Sequence, residues 1–207
     1  MTLTVASTAL AACGSSDSKI SVDKLQKAAD KVIAAPADPC PLGFDVNAAL
    51  KKAGIAATAK PGEEGRSDTA AVDADSTTNA QADSPLKQRG ASILTCHYTL
   101  STGGYLTAAV AGVHTGTAIS LMAPLLQHDG QISRSDLETY ITQKFTAGHA
   151  LTSPGGGLVA VAKLDASGGD ALVEVTSEAV DTNADHGPLV GEPLRALTDA
   201  LAKQVKV

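Results

Sequence analysis

The chain has 207 residues, 43% of them hydrophobic and only 2% aromatic, with 16 basic against 22 acidic side chains and a formal net charge of −6. That length accommodates one domain with appendages and leaves little room for two. The acidic balance excludes sequence-independent nucleic-acid binding, which needs clustered Lys and Arg, and five aromatic residues are too few for a base-stacking platform or an aromatic carbohydrate cleft.

In chain order, Leu3 to Ala12 is uncharged, mostly small or apolar, and too short to span a bilayer. Leu10-Ala11-Ala12-Cys13 resembles a bacterial lipobox, in which the cysteine receives a thioether-linked lipid and the chain is cleaved just before it. Gly14 to Ser18 reads as the polar segment that follows such a cysteine. No Lys or Arg precedes the apolar stretch, which points to a start upstream of Met1. Residues 1–13 are thus expected to be a signal segment ending at lipidated Cys13. No later segment reads as a membrane span, so the lipid would be the anchor, with the domain on the extracytoplasmic face of the cell membrane.

Residues 14–37 read as a tether containing one amphipathic helix, capped by Ser21, with Val22, Leu25, Ala29 and Val32 on one stripe. The folded domain is expected over 38–207. Asp38-Pro39-Cys40-Pro41 is a rigid segment, followed by a short helix that Asp45 caps and Gly54 stops. From about 55 to 91 the chain has no periodicity and few large apolar residues, so a solvated, disordered insertion is expected. Ser92–Leu100 and Tyr105–Ala111 read as a hairpin across Ser101-Thr102-Gly103-Gly104. Thr117–His128 carries a helical pattern with Pro124 against it, and Ser135-Asp136-Leu137-Glu138 reads as a capping box opening the next helix. Leu158–Leu164 and Ala171–Thr176 are strands around a turn, and a closing helix from about Pro193 buries Leu194, Leu197, Leu201 and Val205. Hairpin strands with helices at both ends predict an α+β fold, an antiparallel sheet with helices packed on one face.

With Cys13 lipidated, Cys40 and Cys96 remain, an even number in an oxidising compartment. A Cys40–Cys96 disulfide is the natural pairing, and closing a loop of that length stabilises by about 4 kcal/mol. Two buried free thiols are the alternative. Zinc is a poorer one, because there is no C-x-x-C and His97 points to the opposite strand face from Cys96.

The lipobox, the polar tether, Asp38-Pro39-Cys40 before a short helix, Cys96 in the first long strand and the closing amphipathic helix together resemble small actinobacterial envelope lipoproteins of unknown function, of the mycobacterial type. The likeness covers about 38–207 in layout, with only Asp38, Pro39, Cys40 and Cys96 as motif residues, and His97-Tyr98 stands where an aromatic often follows the second cysteine directly. The resemblance implies an exported, membrane-anchored domain with one disulfide and no assigned reaction.

No nucleophile elbow, H-E-x-x-H, Walker loop or dinucleotide fingerprint is present, so no catalytic residue, metal ligand or cofactor is assigned. Gly155-Gly156-Gly157 precedes a strand and reads as a turn. His97, His114, His128, His149 and His186 lack ligand spacing; His97, beside the second cysteine, is the most interesting and reads first as a surface or half-buried histidine. The expected role is a non-enzymatic binding or interaction module of the cell envelope, its partner an envelope protein or lipid. The alternatives are a carrier or sensor for a lipid or small apolar ligand, with a pocket between sheet and helices, and more remotely an envelope hydrolase.

Overall fold

The computed structural model describes residues 20–35, 40–62, 67–75, 83–179 and 189–207. Cys13 and its lipobox, Asp38, Pro39 and His186 lie outside the described residues. At the centre are β4 (Ala91–Leu100) and β5 (Tyr105–Val113), the hairpin expected from the turn residues 101–104. β5 pairs antiparallel with β9 (Asp170–Glu178), which pairs with β7 (Val159–Leu164), and β6 (Ala150–Thr152) closes that edge. On the other edge, β2 (Ala59–Pro61) and β3 (Thr69–Asp73) share β4 between them, completing a seven-stranded antiparallel sheet. A two-residue strand, β1 (Ile20–Ser21), runs parallel to β8 (Ala166–Ser167) in a separate ladder.

Alternation along the strands divides the interior in two. Leu94, Cys96, Leu106, Ala108, Val110, Val173 and Val175 face one side, where α1 (Val22–Ala34), α2 (Val46–Lys52) and α6 (Glu192–Ala202) cover them. The Ser21 hydroxyl accepts from the Lys24 amide and the Asp45 carboxylate from the Ala48 amide, so both expected caps are in place. α1 lies directly on β5: a Cβ added at Gly112 would come within 2.8 Å of Leu25 Cδ2. The Cys40–Cys96 disulfide, with Cα atoms 5.8 Å apart, ties the segment before α2 to the middle of β4 on this same face.

The α+β architecture and a helical layer over one face match expectation, and the structure adds a second layer. α4 (Ala118–Asp129) and α5 (Arg134–Ile141) cover part of the opposite face over Ala109, Ala111, Val113, Val159, Val161 and Leu172. The one-face layout is therefore corrected to two. The reason is that β5, β7 and β9 are apolar on both sides, a pattern of strands buried on both faces. Pro124 sits inside α4 at an exposed position, and Met122 and Leu126 hold the helix down beside it.

Three other expectations are corrected. The solvated loop at 55–91 contains β2, β3 and α3 (Pro85–Arg89). These strands are short and made of small residues, and they are held through backbone pairing with β4, which leaves no hydrophobic period to read. The helix expected within 14–37 is part of the domain itself and not of a tether, because Val22, Leu25, Ala29 and Val32 of α1 are buried in the main core. Finally, α5 is capped by Ser133, not Ser135. The Ser133 hydroxyl accepts from the Asp136 amide at 3.2 Å and lies 2.7 Å from its carboxylate, a capping box two residues early. Phe145 follows the helix and packs edge-on to Tyr140, ring centroids 5.6 Å apart.

Candidate functional site

On the second face the helical layer is incomplete, and a groove opens between the start of α4, the end of α5 and the strands β7 and β9. Its volume is about 260 Å³, at the small end of the range for ligand pockets. Ile119, Ile141, Phe145, Val161 and Leu172 make its walls and floor apolar, while Lys144, Lys163 and Asp170 stand among them. The polar groups are organised. Asp170 opens β9 and its carboxylate lies 3.0 Å from the Lys163 ammonium on β7. Its other oxygen accepts from the Ala118 amide at 2.9 Å. That contact supplies from another strand the cap that Thr117 does not provide, and it places a negative charge at the positive end of α4.

Four residues beyond Asp170 along β9, on the same face as Leu172, lies Glu174. It is opposite Val161 of the groove floor and Ala109 of β5, and only 3% exposed. Neither carboxylate oxygen has a hydrogen-bond partner among the described residues. Burial, with a smaller contribution from Asp129 at the end of α4, pushes its pKa up to about 8, so the carboxyl is largely protonated at neutral pH. Tyr140 of α5 packs nearby, donates its hydroxyl to the Leu151 carbonyl at 2.7 Å, and has its own pKa raised by burial and by Glu174. A protonated acid here can donate a hydrogen bond or release a proton, which makes this a chemically unsettled place in the described core, as are the unpartnered hydroxyls of Ser92 and Tyr98.

His97 is also on this face and 9% exposed, its Nδ1 3.2 Å from the Thr107 hydroxyl. It is a nearly buried histidine on the strand face opposite Cys96, as the alternation of β4 requires. His114 is held between the Gly168 carbonyl at 2.9 Å and Asp23 at 3.5 Å, and His128 lies 2.7 Å from Asp129, which raises its pKa. No group of three or more His, Cys, Asp or Glu suited to a metal ion occurs among the described residues. Gly155 to Gly157 form a turn, and the Gly157 carbonyl accepts from the Gly191 amide just before α6.

Of the residues singled out by sequence, Cys40 and Cys96 are brought together as a disulfide. The groove residues and Glu174 were not singled out. The signal for Glu174 was present: Ala171-Leu-Val-Glu-Val-Thr176 is apolar on both sides of the strand, so a charge inside it has no solvent face to occupy. The groove has no comparable signal, because it exists only where α4, α5, β7 and β9 meet. Comparison with protein-family models, with curated proteins and with solved structures finds no match to this chain.

Proposed function

We propose that the protein is a lipid-anchored, extracytoplasmic binding module of the cell envelope, non-enzymatic, and held at the membrane through Cys13. The observation that carries this reading is the Cys40–Cys96 disulfide, which joins the partly buried Cys40 to the buried Cys96 of the main core, a cross-link that persists in oxidising compartments and is rare in reducing ones. It agrees with the apolar stretch and lipobox that end at Cys13 and with the resemblance to actinobacterial envelope lipoproteins. Among the described residues no helix is long and apolar enough to cross a membrane, so the reading assigns attachment to the lipid.

Metabolic labelling with an alkyne fatty acid in an actinobacterial host tests it. The parent chain is expected to incorporate label and fractionate with membranes, and Cys13→Ala to lose both. Equal labelling of the two chains contradicts the reading.

The groove favours a second reading, that the module carries or senses a small amphipathic ligand. Apolar walls suit a short hydrocarbon segment, and Lys144 beside the Lys163–Asp170 pair suits an anionic head. Native mass spectrometry of protein released from its own membrane is expected to show an added mass that Leu172→Trp, which fills the groove, removes. A clean unliganded mass contradicts it.

A further inference from the structure

Because Ile20 and α1 belong to the folded domain, little chain separates the domain from Cys13. Ile20 stands only seven positions after Cys13, a reach of at most about 25 Å at about 3.6 Å per residue. The end of the molecule where Ile20 enters is therefore the end nearest a membrane that holds Cys13.

That end is basic, although the whole chain is acidic. Ile20 itself lines a recess of about 500 Å³ with Lys163, Lys203 and Lys206, and Asp165 is the acidic residue in its lining. A second recess of about 410 Å³ lies on the other side of the C-terminal segment, bounded by Val207 and by Lys24, Lys27 and Lys31 of α1. The three α1 lysines are spaced i, i+3, i+7 and form one stripe beside the chain entry, opposite the buried stripe of Leu25, Ala29 and Val32. Lys24, Lys27, Lys31, Lys203 and Lys206 are all exposed. Five of the ten exposed lysines among the described residues lie at this point of attachment, and on an acidic domain they present charge complementarity to a surface of phosphate groups.

We propose that this lysine-bearing end docks on the anionic phospholipid headgroups of the membrane and fixes the orientation of the tethered domain. The nearness of this end to the membrane rests on the anchoring reading above; the charge pattern does not. Docking turns the chain entry, the C-terminal segment and the α1 stripe toward the headgroups. Lys163 lines both the recess beside Ile20 and the apolar groove, so the groove would open at the edge of the docked face.

The test uses the full chain carrying Cys13→Ala, so that no lipid contributes, and measures co-sedimentation with vesicles of phosphatidylcholine alone or with about one-third phosphatidylglycerol. The expected result is at least about tenfold stronger partitioning onto the anionic vesicles, lost at about 0.5 M salt. Lys27→Glu with Lys31→Glu, and separately Lys203→Glu with Lys206→Glu, should abolish the preference. The control pair Lys87→Glu with Arg134→Glu changes net charge equally on α3 and α5 and should retain it. All six positions are exposed, and circular dichroism with thermal melting establishes that each variant is folded. Equal partitioning onto both vesicle types, or equal loss in the control pair, overturns the proposal. Because the assay omits the lipid anchor, its failure leaves the Cys13 reading standing, whereas a failed labelling experiment removes the tether and with it the orienting role, leaving only the vesicle preference.

Discussion

The two faces of the sheet are built on different terms. The face under α1, α2 and α6 has an aliphatic middle, is cross-linked by Cys40–Cys96 and is covered by the capped helices α1 and α2 together with α6; its buried polar side chains Thr69, Asp73, Ser92 and Tyr98 lie on β3 and β4. The face under α4 and α5 is partly open, and it holds an ion pair beside a groove and a carboxyl group with no hydrogen-bond partner among the described residues. A buried acid without such a partner lowers stability. The first face thus holds the fold together, while the second holds the apolar groove with its ion pair and the buried Glu174.

Disrupting the first face should have the largest effect. Replacing Cys40 and Cys96 together by Ala frees a loop spanning 56 residues and should cost about 4 kcal/mol in denaturant melts. If that loss is under about 1 kcal/mol, the first face does not depend on its cross-link and the contrast between the faces weakens.

Glu174 probes the second face. Its folded pKa stands above the unfolded value, so the native state holds the extra proton between about pH 4.5 and about pH 8. The stability associated with the protonated group is fully present below pH 4.5 and is lost as pH rises through 8. Asp30 acts in the same direction over a lower window, from 3.8 to about 6, through its hydrogen bond with Asp73, burial and the neighbouring charges of Asp73 and Asp75. Glu174→Gln should flatten the upper part of the profile and raise stability at pH 9 by about 3 kcal/mol. Thermal melts at half-unit pH steps read both windows, and an unchanged slope between pH 6 and 8 contradicts the assignment.

Asp170→Ala comes next. It removes the partner of Lys163 and the distant cap of α4, for a loss of about 1–2 kcal/mol, and it should weaken the groove more than the main core. Arg134→Ala on α5 should change stability by less than about 0.5 kcal/mol, since its pair with Glu138 is exposed on both sides. A larger effect would mean that the second layer is held by its surface and not by Met122, Leu126, Leu137 and Tyr140 beneath it.

Much of the first face was legible in the sequence. The stripes of α1 and α6, the caps at Ser21 and Asp45, the β4–β5 hairpin and the pairing of the two cysteines each follow from local rules acting over a few residues, or from parity. The second face was legible only in part. The Ser133–Asp136 box was masked by a second serine two residues on, and the turn chemistry gave no reason to choose between them. β2 and β3 were invisible because edge pairing needs only backbone groups, and Ala59-Lys-Pro or Thr69-Ala-Ala-Val-Asp carries little side-chain signal. The groove and the basic end arise from residues far apart in the chain, such as Lys31 and Lys206, which no local window brings together.

Native-state hydrogen exchange at pH 6.5 and pH 9, compared as protection factors so that intrinsic rates cancel, tests the division between the faces. Raising the pH ionises Glu174 beneath α4 and α5. Amides of those two helices should lose protection about tenfold or more, while those of α1, α6 and the β4–β5 hairpin hold theirs, and Glu174→Gln should remove the difference. An equal loss across both faces, or a selective loss that persists in Glu174→Gln, would contradict that division.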